Sequence, residues 1–153
     1  MGYEATVRWQ RGADEVFTDQ RYSRAHEWRF DGGAVVPASS SPHVVRLPFS
    51  DPAAVDPEEA FVASLASCHM LFFLSLAADE GLTVEAYEDR ALGTMAEDGG
   101  RHWVGRVVLR PRVVFGGESP SDDTVEALHH ASHARCYIAN SVRTEVVVEG
   151  TIG

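Results

Sequence analysis

The most constraining feature of this chain is an uninterrupted apolar stretch in its middle. Residues 60–78 read AFVASLASCHMLFFLSLAA and contain no Asp, Glu, Arg or Lys. A helix start precedes this stretch, because Asp56 is a typical N-cap, Pro57 suits the first helical position and Glu58 complements the helix dipole. Gly81 is a typical helix stop. The pattern predicts one long helix of about 25 residues that is apolar nearly all round.

Such a helix must be covered on every side, by lipid or by protein. Its length would nearly span a bilayer, but several serines, Cys68 and His69 dilute it and acidic residues flank both ends. A core helix is therefore the favoured interpretation, and a membrane span is the minority one. A chain of 153 residues can hardly bury a helix of about 37 Å alone. We therefore expect a second copy of the chain to help cover it.

The remaining patterns predict strands on both sides of this helix and a second helix near the end. Before it, Tyr3, Ala5, Val7 and Trp9 alternate as the core face of a strand, and His26, Trp28 and Phe30 alternate again. The later elements are expected at residues 83–95 and 103–115 (strands joined by a hairpin turn at 97–100), 119 to about 134 (helix) and 144–152 (strand). Residues 34–56 are expected to form a long loop. The order indicates a single α+β domain over residues 1–153, with antiparallel sheets and two helices.

The composition excludes several classes of function. Thirteen basic against 23 acidic residues give a net charge of −10, which disfavours nucleic acid and anionic membrane partners. All thirteen basic residues are Arg, so lysine Schiff-base chemistry is excluded. The first ten residues, MGYEATVRWQ, lack the pattern of a secretory signal, which predicts a cytoplasmic protein. No cofactor is expected.

The two cysteines, Cys68 in the apolar stretch and Cys136 after the second helix, are the candidate reactive groups. The ordinary alternative is that both are buried thiols that pack as small apolar side chains. A reactive thiolate here needs a neighbouring positive charge from an Arg or a protonated His. Arg24, two residues before His26, is the simplest source of this positive charge. The ordinary alternative is that Arg24 is a solvent-exposed surface residue. Arg21 and Arg29 remain alternatives.

Glu58 is a candidate acid for the same site. It precedes Cys68 by ten residues, which is about 15 Å along a helix axis, so the two cannot touch within a straight helix. Either the helix bends, or Glu58 acts through an intermediary such as Arg24. In a dimer, that intermediary could belong to the other subunit. The simpler alternative is that Glu58 only complements the helix dipole.

The HHASHARC segment suggests a metal site, because His129, His133 and Cys136 fall on one helical face. The rise of about 10.5 Å across them is too long for three ligands on one straight helix. A two-ligand site completed by Cys68 or His69 stays open as a weaker alternative. No metal is expected.

Three segments resemble the OsmC/Ohr family of thiol-dependent peroxidases, and the OsmC-like branch in particular. They are DPEEAFVASLASCHMLFFL (residues 56–74), ARCYIANSV (134–142) and RYSRAHEWRFDGG (21–33). The resemblance spans nearly the whole chain. It implies an intertwined α+β homodimer with the two long helices at its centre and two active sites at the subunit interface.

The resemblance also implies roles for individual residues. Cys68 matches the peroxidatic cysteine, Cys136 the resolving cysteine, Glu58 the acid at the helix start and Arg24 the arginine that contacts the thiolate. In the implied reaction, hydroperoxide oxidises Cys68 to a sulfenic acid, Cys136 resolves it as a disulfide, and an external dithiol reduces that disulfide. One departure is Tyr137, which follows Cys136 where the family usually has proline; resolution is expected to be slower or to need a different loop motion.

The expected substrate is an organic hydroperoxide, with hydrogen peroxide as a further substrate. Apolar walls that include Phe61 and Phe72, together with Leu71 and Phe73, would favour organic substrates. His26 is a candidate donor to the leaving oxygen, and a structural strand histidine is its alternative. Two other functions stay open: a non-catalytic protein that binds hydrophobic small molecules on the same fold, and a zinc protein that uses His129, His133 and Cys136.

Overall fold

The computed structural model describes all residues from 1 to 153. Internal contacts divide the chain into two compact units, residues 1–60 and residues 61–153. The first unit contains the strands β1 (Ala5–Arg8), β2 (His26–Phe30) and β3 (Val35–Ala38). Helix α1 (Pro57–Asp79) begins at the end of this unit. The second unit contains β4 (Val84–Asp89), β5 (Leu92–Asp98), β6 (Arg101–Leu109), β7 (Pro111–Phe115), α2 (Asp122–Arg135), β8 (Glu145–Val148) and β9 (Thr151–Ile152).

The first unit is built on an antiparallel sheet in the order β1-β2-β3. Trp28 on the central strand lies opposite Val7 on one side and Val36 on the other. The expectation that Tyr3, Val7 and Trp9 form a core face is wrong for the single chain, since all three side chains are exposed. The period-2 alternation identified the strand correctly, but alternation alone does not reveal whether a second layer covers the apolar face.

Helix α1 has the start and stop that the sequence predicts. The Glu59 N–H donates to Asp56 Oδ1 at 2.8 Å, and the Asp56 N–H donates to Glu59 Oε2 at 3.2 Å, which is a reciprocal capping box. At the other end Gly81 takes a φ of +73°, and the Leu82 N–H donates to the Ala77 carbonyl. Both ends are therefore fixed by local chemistry.

Only one face of α1 is buried by the chain. The buried residues are Leu65, His69, Phe73 and Ala77, spaced four apart. By length and composition the helix could cross a membrane, with a mean hydropathy of 1.9 over an 18-residue window, of which 22% is buried. Leu71 is 60% exposed. A large apolar surface of α1 thus stays uncovered in one chain.

The second unit contains two mixed sheets, in the orders β4-β7-β9 and β5-β6-β8. The expected antiparallel pairing is present between β4 and β7 and between β5 and β6, and parallel pairing of β7 with β9 and of β6 with β8 makes both sheets mixed. The two strands expected at residues 83–95 and 103–115 are each divided in two, at positions 90–91 and at Arg110. Near both breaks the Arg110 N–H donates to Asp89 Oδ1 at 2.7 Å. Pro111 also restricts the backbone conformation of Arg110, the residue before it. The hairpin turn at Gly99 and Gly100 is confirmed by their positive φ angles.

Two apolar clusters form the core of the second unit. One joins α1, α2 and the first mixed sheet, and its buried members are Phe73, Ala77, Val113, Phe115, Val125 and Leu128. The other joins α1 to the second mixed sheet through Leu65, Val107 and Leu109. Helix α2 begins after Ser121, whose side chain accepts from the Thr124 N–H. Two helices with mixed sheets confirm the predicted α+β class.

Candidate active site

The two cysteines lie beside each other in the unit of residues 61–153. Both are free thiols; Cys68 on α1 is half-buried, whereas Cys136 directly after α2 is buried. Burial, followed by hydrogen bonding with the Cys68 side chain, raises the pKa of the Cys136 thiol to about 11. Cys136 is therefore protonated at neutral pH and lies near the more accessible sulfur of Cys68.

The backbone after α2 holds Cys136 in place. Its N–H donates to the His133 carbonyl at 3.3 Å, and its carbonyl accepts from the Asn140 N–H at 3.0 Å. The Ala139 N–H donates to Cys136 Sγ at 3.4 Å, which opposes the rise in the pKa of the thiol. The exposed Tyr137 turns away from this core and meets Phe72 edge-on, with ring centroids 5.1 Å apart.

An open cleft of about 490 Å³ lies in the unit of residues 1–60. Its walls include the predicted site residues Arg24, His26 and Glu58. Its apolar surface comes mainly from Val7 and the aromatic residues Trp9, Phe17 and Tyr22. Three of the charged or titratable residues singled out from the sequence thus share one cleft.

Arg24 is anchored to the backbone of the segment before β2. Its Nη1 donates to the Gln20 carbonyl at 2.8 Å and to the Tyr22 carbonyl, and its guanidinium stacks on the Tyr22 ring at 3.7 Å. No ion pair joins Arg24 to Glu58 in the structure, although both line the cleft. The interaction through which Glu58 was expected to act, a contact with Arg24, is therefore not formed in the single chain.

The other two candidate arginines have different partners. Arg21 lies over the Phe49 ring at 5.7 Å, and Arg29 pairs with Glu27 at 2.7 Å. Neither residue lines the cleft that contains Arg24. Of the three arginines left open by the sequence, Arg24 alone faces this cavity.

Both ring nitrogens of His26 already have partners. Nδ1 lies 2.7 Å from the Arg24 carbonyl, so it carries the proton, and Nε2 accepts from Trp28 Nε1 at 3.1 Å. A histidine in this state has no free N–H for a leaving oxygen. The geometry favours the structural alternative, in which His26 fixes the Arg24 backbone and the Trp28 ring.

The apolar wall expected from α1 is distributed differently. Phe73 is fully buried in the core, so it cannot line an open pocket. Phe61 packs partly buried against Leu65, and Phe72 contacts Tyr137. The aromatic residues of the cleft, Trp9, Phe17 and Tyr22, were not identified from the sequence as site residues. Trp9 was placed on a strand face, and the irregular spacing of Phe17 and Tyr22 gave no periodic signal.

The histidines of α2 do not form a metal site. Nowhere do three His, Cys, Asp or Glu side chains come together in a way that could hold a metal ion, so the zinc interpretation with His129, His133 and Cys136 is wrong for this geometry. Instead, His69 Nε2 and His129 Nδ1 share a buried hydrogen bond of 3.0 Å. Burial lowers the pKa of each of these two histidines to about 4.

The protein is thus a two-helix α+β protein with two neighbouring free cysteines and an arginine in an aromatic cleft. The family model described as OsmC-like protein matches residues 50–150, so the chain belongs to the OsmC-like family. A solved OsmC-like protein of unknown function from Vibrio cholerae is 54% identical, with 99% of each chain covered and a TM-score of 0.96.

More distant solved structures share the fold alone. The OsmC-like protein from Mycoplasma pneumoniae is 14% identical, covering 99% of this chain and 97% of its own, with a TM-score of 0.74. The organic hydroperoxide resistance protein OhrB of Bacillus subtilis is 16% identical, covering 100% and 98%, with a TM-score of 0.66. No curated protein matches the chain.

Proposed function

We propose that this protein is a thiol-dependent peroxidase that reduces organic hydroperoxides, and hydrogen peroxide less efficiently. The observation that carries the proposal is that Cys68 and Cys136 lie close enough within one unit for the Cys68 thiol to influence the pKa of Cys136. A half-buried thiol beside a buried one suits a cycle in which the first meets the substrate and the second resolves the product. A hydroperoxide resistance protein among the structural relatives agrees with this chemistry at the level of the fold.

The cycle consists of three balanced steps. The Cys68 thiolate attacks the distal oxygen of the hydroperoxide, the O–O bond breaks, and the alkoxide leaves as the alcohol after taking up a proton. Cys136 then attacks the Cys68 sulfenic acid, forming a disulfide and releasing water. An external dithiol reduces this disulfide to two thiols and is itself oxidised. No cofactor takes part in the cycle.

Arg24 supplies the positive charge in this proposal. In the homodimer its guanidinium pairs with the Cys68 thiolate and orients the peroxide, and Glu58 orients Arg24 in turn. Support comes from the cleft that Arg24 and Glu58 already share, and from the Arg24 Nε–H, which has no hydrogen-bond partner in the single chain. Pairing with Glu58 then requires Arg24 to change partners on assembly.

The aromatic cleft sets the substrate class. Trp9, Phe17 and Tyr22 pack their rings together, with Phe17 and Tyr22 stacked at 4.6 Å. Burial of an alkyl or aryl group against these rings gives a binding energy that hydrogen peroxide cannot obtain. We expect a higher kcat/KM for cumene hydroperoxide than for hydrogen peroxide; equal values would remove this part of the proposal.

The proposal includes an intertwined homodimer that works in the cytoplasm. The exposed apolar surface of α1 is the support for assembly, because a second copy would remove it from water. The mass of the protein in solution tests the dimer.

The deciding experiment is mass spectrometry after one equivalent of cumene hydroperoxide. The wild-type protein should form an intramolecular Cys68–Cys136 disulfide and consume peroxide continuously with dithiothreitol. Cys68→Ser should abolish consumption, whereas Cys136→Ser should turn over once and then accumulate sulfenic or sulfinic acid at Cys68. An unmodified Cys68 in the wild-type protein after peroxide treatment would end the proposal.

A matched pair of arginine variants tests the cleft. Arg24→Gln should lower kcat/KM for cumene hydroperoxide by about 100-fold or more, because a charge-assisted contact to the reacting sulfur is lost. Arg29→Gln is the control, since Arg29 pairs with Glu27 outside the cleft. Equal activities of the two variants would remove Arg24 from the mechanism without affecting the thiol chemistry.

A second candidate function is the non-catalytic binding of a hydrophobic small molecule. The aromatic cleft of about 490 Å³ favours this function, because it has the size and lining of a ligand pocket without needing either cysteine. Binding of a fluorescent fatty ligand that Cys68→Ala leaves unchanged, together with absent peroxidase activity in the wild type, would favour this alternative. Binding that responds to Cys68 oxidation would favour the peroxidase.

A further inference from the structure

The loop that follows α2 places its first two residues against one face of α1. Cys136 lies near Cys68, and Tyr137 meets Phe72 edge-on, with ring centroids 5.1 Å apart and ring planes at 88°. Cys68 and Phe72 are separated by four positions on α1, so their side chains lie on the same face, about one helical turn apart. The aromatic contact is therefore one turn away from the sulfur that the peroxidase proposal makes reactive.

The ring of Tyr137 serves this contact and not the core. Its side chain is 71% exposed, and Phe72 is its aromatic partner in the structure. The hydrogen bond at Tyr137 runs from Ser141 Oγ to the Tyr137 carbonyl and leaves the side chain out. An edge-to-face pair of this kind stabilises whatever conformation brings the two rings together. Here that conformation belongs to the loop that contains Cys136.

The loop has to hold Cys136 in a defined backbone conformation. Directly after the helical residues of α2, Cys136 takes an extended conformation with a φ of −64° and a ψ of 112°. No proline follows Cys136 to impose this conformation. Ile138 packs against the apolar cluster between α1 and the second mixed sheet, and the Ala139 N–H donates to Cys136 Sγ at 3.4 Å. Two neighbouring side chains thus tie the loop down, Ile138 to the core and Tyr137 to α1.

We propose that Tyr137 is a positioning residue for the resolving step, whose ring, docked on Phe72, keeps the loop in the conformation that presents Cys136 Sγ to Cys68. Tyr137 acts through the backbone of Cys136, its neighbour in the chain. A reaction between two groups of one molecule gains its rate from their being held in position beforehand. The biological role of Tyr137 rests on the proposed function, whereas its effect on disulfide closure is measurable without peroxide.

The test measures disulfide closure with dithiodipyridine, a reagent that requires no peroxidase activity. The Cys68 thiolate attacks one sulfur of the reagent, the S–S bond of the reagent breaks, and a first thiopyridone leaves. Cys136 then gives its proton to solvent and attacks the Cys68 sulfur of this mixed disulfide, which forms the Cys68–Cys136 disulfide and releases a second thiopyridone. The second release is intramolecular, so its rate constant is independent of the reagent concentration. Cys136→Ser should show the first release alone.

Variants of Tyr137 should separate the two releases. Tyr137→Ala should slow the second release roughly 3- to 10-fold, the factor that an edge-to-face aromatic pair supplies, at an unchanged mass by light scattering. Tyr137→Phe keeps the ring and should close at the wild-type rate. Tyr3→Ala is the matched control, because Tyr3 is 88% exposed and lies in the other unit; it should change the second release by less than about twofold.

Three results would overturn the inference: closure of Tyr137→Ala at the wild-type rate, equal slowing in Tyr137→Phe, or slowing in Tyr137→Ala that comes with a change in mass. Wild-type protein that consumes cumene hydroperoxide but shows no second release would also overturn it and would leave the peroxidase proposal standing without resolution by Cys136. The opposite result, in which the wild type closes with the reagent but leaves cumene hydroperoxide unconsumed, would end the peroxidase proposal and keep the positioning role of Tyr137.

Discussion

The two helices of this protein differ in how much of their apolar surface the single chain buries. Helix α2 has 14 residues and buries Val125, Leu128, His129 and Ser132, while its other face carries mostly polar, charged or small residues. Helix α1 has 23 residues and also buries one face, but its other faces are apolar as well. One chain is sufficient to bury the apolar face of α2, whereas α1 exposes apolar side chains such as Leu71 to water. We therefore expect the proposed dimer to depend on the surface of α1 and not on that of α2.

The same difference extends to the two cysteines. Cys136, after α2, is buried among contacts made by its own unit, whereas Cys68, on α1, is half-buried. The accessible sulfur therefore lies on the helix whose surface remains to be covered. Assembly would enclose Cys68 in an apolar environment, where a pairing with a guanidinium is stronger than in water. Changes on α1 should consequently affect mass and activity together, and changes on α2 should affect stability alone.

The largest expected effect is loss of the proposed dimer when a charge is placed on the exposed face of α1. Leu71→Glu should weaken self-association at least ~30-fold, because a carboxylate would be buried at the interface without a partner. By light scattering at micromolar concentration, the mass should fall from twice 16.7 kDa to 16.7 kDa. Peroxidase activity should fall with it.

The matched control for this variant is Ala127→Glu, at an exposed position of α2. It should keep the dimer mass and the activity, and circular dichroism should show that both variants fold. A wild-type protein that is monomeric at micromolar concentration, or a dimeric Leu71→Glu variant, would break the comparison between the helices.

A smaller effect concerns the histidine pair that joins the two helices. The pKa values of His69 and His129 are lowered from 6.5 to about 4, mainly by burial. The folded protein favours the neutral form of both histidines, so their contribution to stability is complete above pH 6.5. It is lost as the pH falls toward 4, because the histidines of the unfolded chain take up protons at a higher pH than those of the folded chain. We expect the free energy of unfolding to fall by roughly 2–3 kcal/mol over this range for each histidine of the pair that is protonated. Urea unfolding at a series of pH values measures it.

Two α2 variants separate this pair from the other titrating groups. His129→Gln should flatten the dependence between pH 6.5 and 4, although the variant will be less stable at neutral pH. His130→Gln, at the exposed next position, should leave the profile unchanged. A profile that is equally steep in all three proteins would show that other groups cause it.

The sequence predicts well what local chemistry decides. The ends of α1 follow from Asp56, Pro57 and Gly81, and the hairpin turn follows from two consecutive glycines; each is set by neighbours in the chain. The division of the later strands at positions 90–91 and at Arg110 was missed, because it depends on a change of partner strand. Hydrophobic periodicity carries no information on which sheet a strand joins.

The candidate site shows the same limit. Residue types singled out Arg24, Glu58 and His26, and the structure brings these three together in one cleft. Residue types do not reveal that Arg24 donates to the Gln20 and Tyr22 carbonyls, or that both ring nitrogens of His26 are hydrogen-bonded. These bonds depend on the positions of backbone atoms. The aromatic lining was missed for the same reason, since Phe17 and Tyr22 meet Trp9 only through the turn between β1 and β2.

The smallest expected effect compares the two helix starts. Asp56 both accepts from the Glu59 N–H and donates its own N–H to the Glu59 carboxylate, so two backbone N–H groups are satisfied. Ser121 Oγ accepts from one backbone N–H, that of Thr124 at 3.2 Å, and its other bond is to the Thr124 hydroxyl at 2.9 Å. Asp56→Ala should lower the free energy of unfolding by about 1–2 kcal/mol and Ser121→Ala by about 0.5–1 kcal/mol, as measured by urea unfolding. Ser119→Ala, at an exposed position before the α2 cap, should change it by less than about 0.5 kcal/mol. If Ser121→Ala costs more than Asp56→Ala, then α1 does not depend on its cap, and contacts along its apolar surface must hold its start instead.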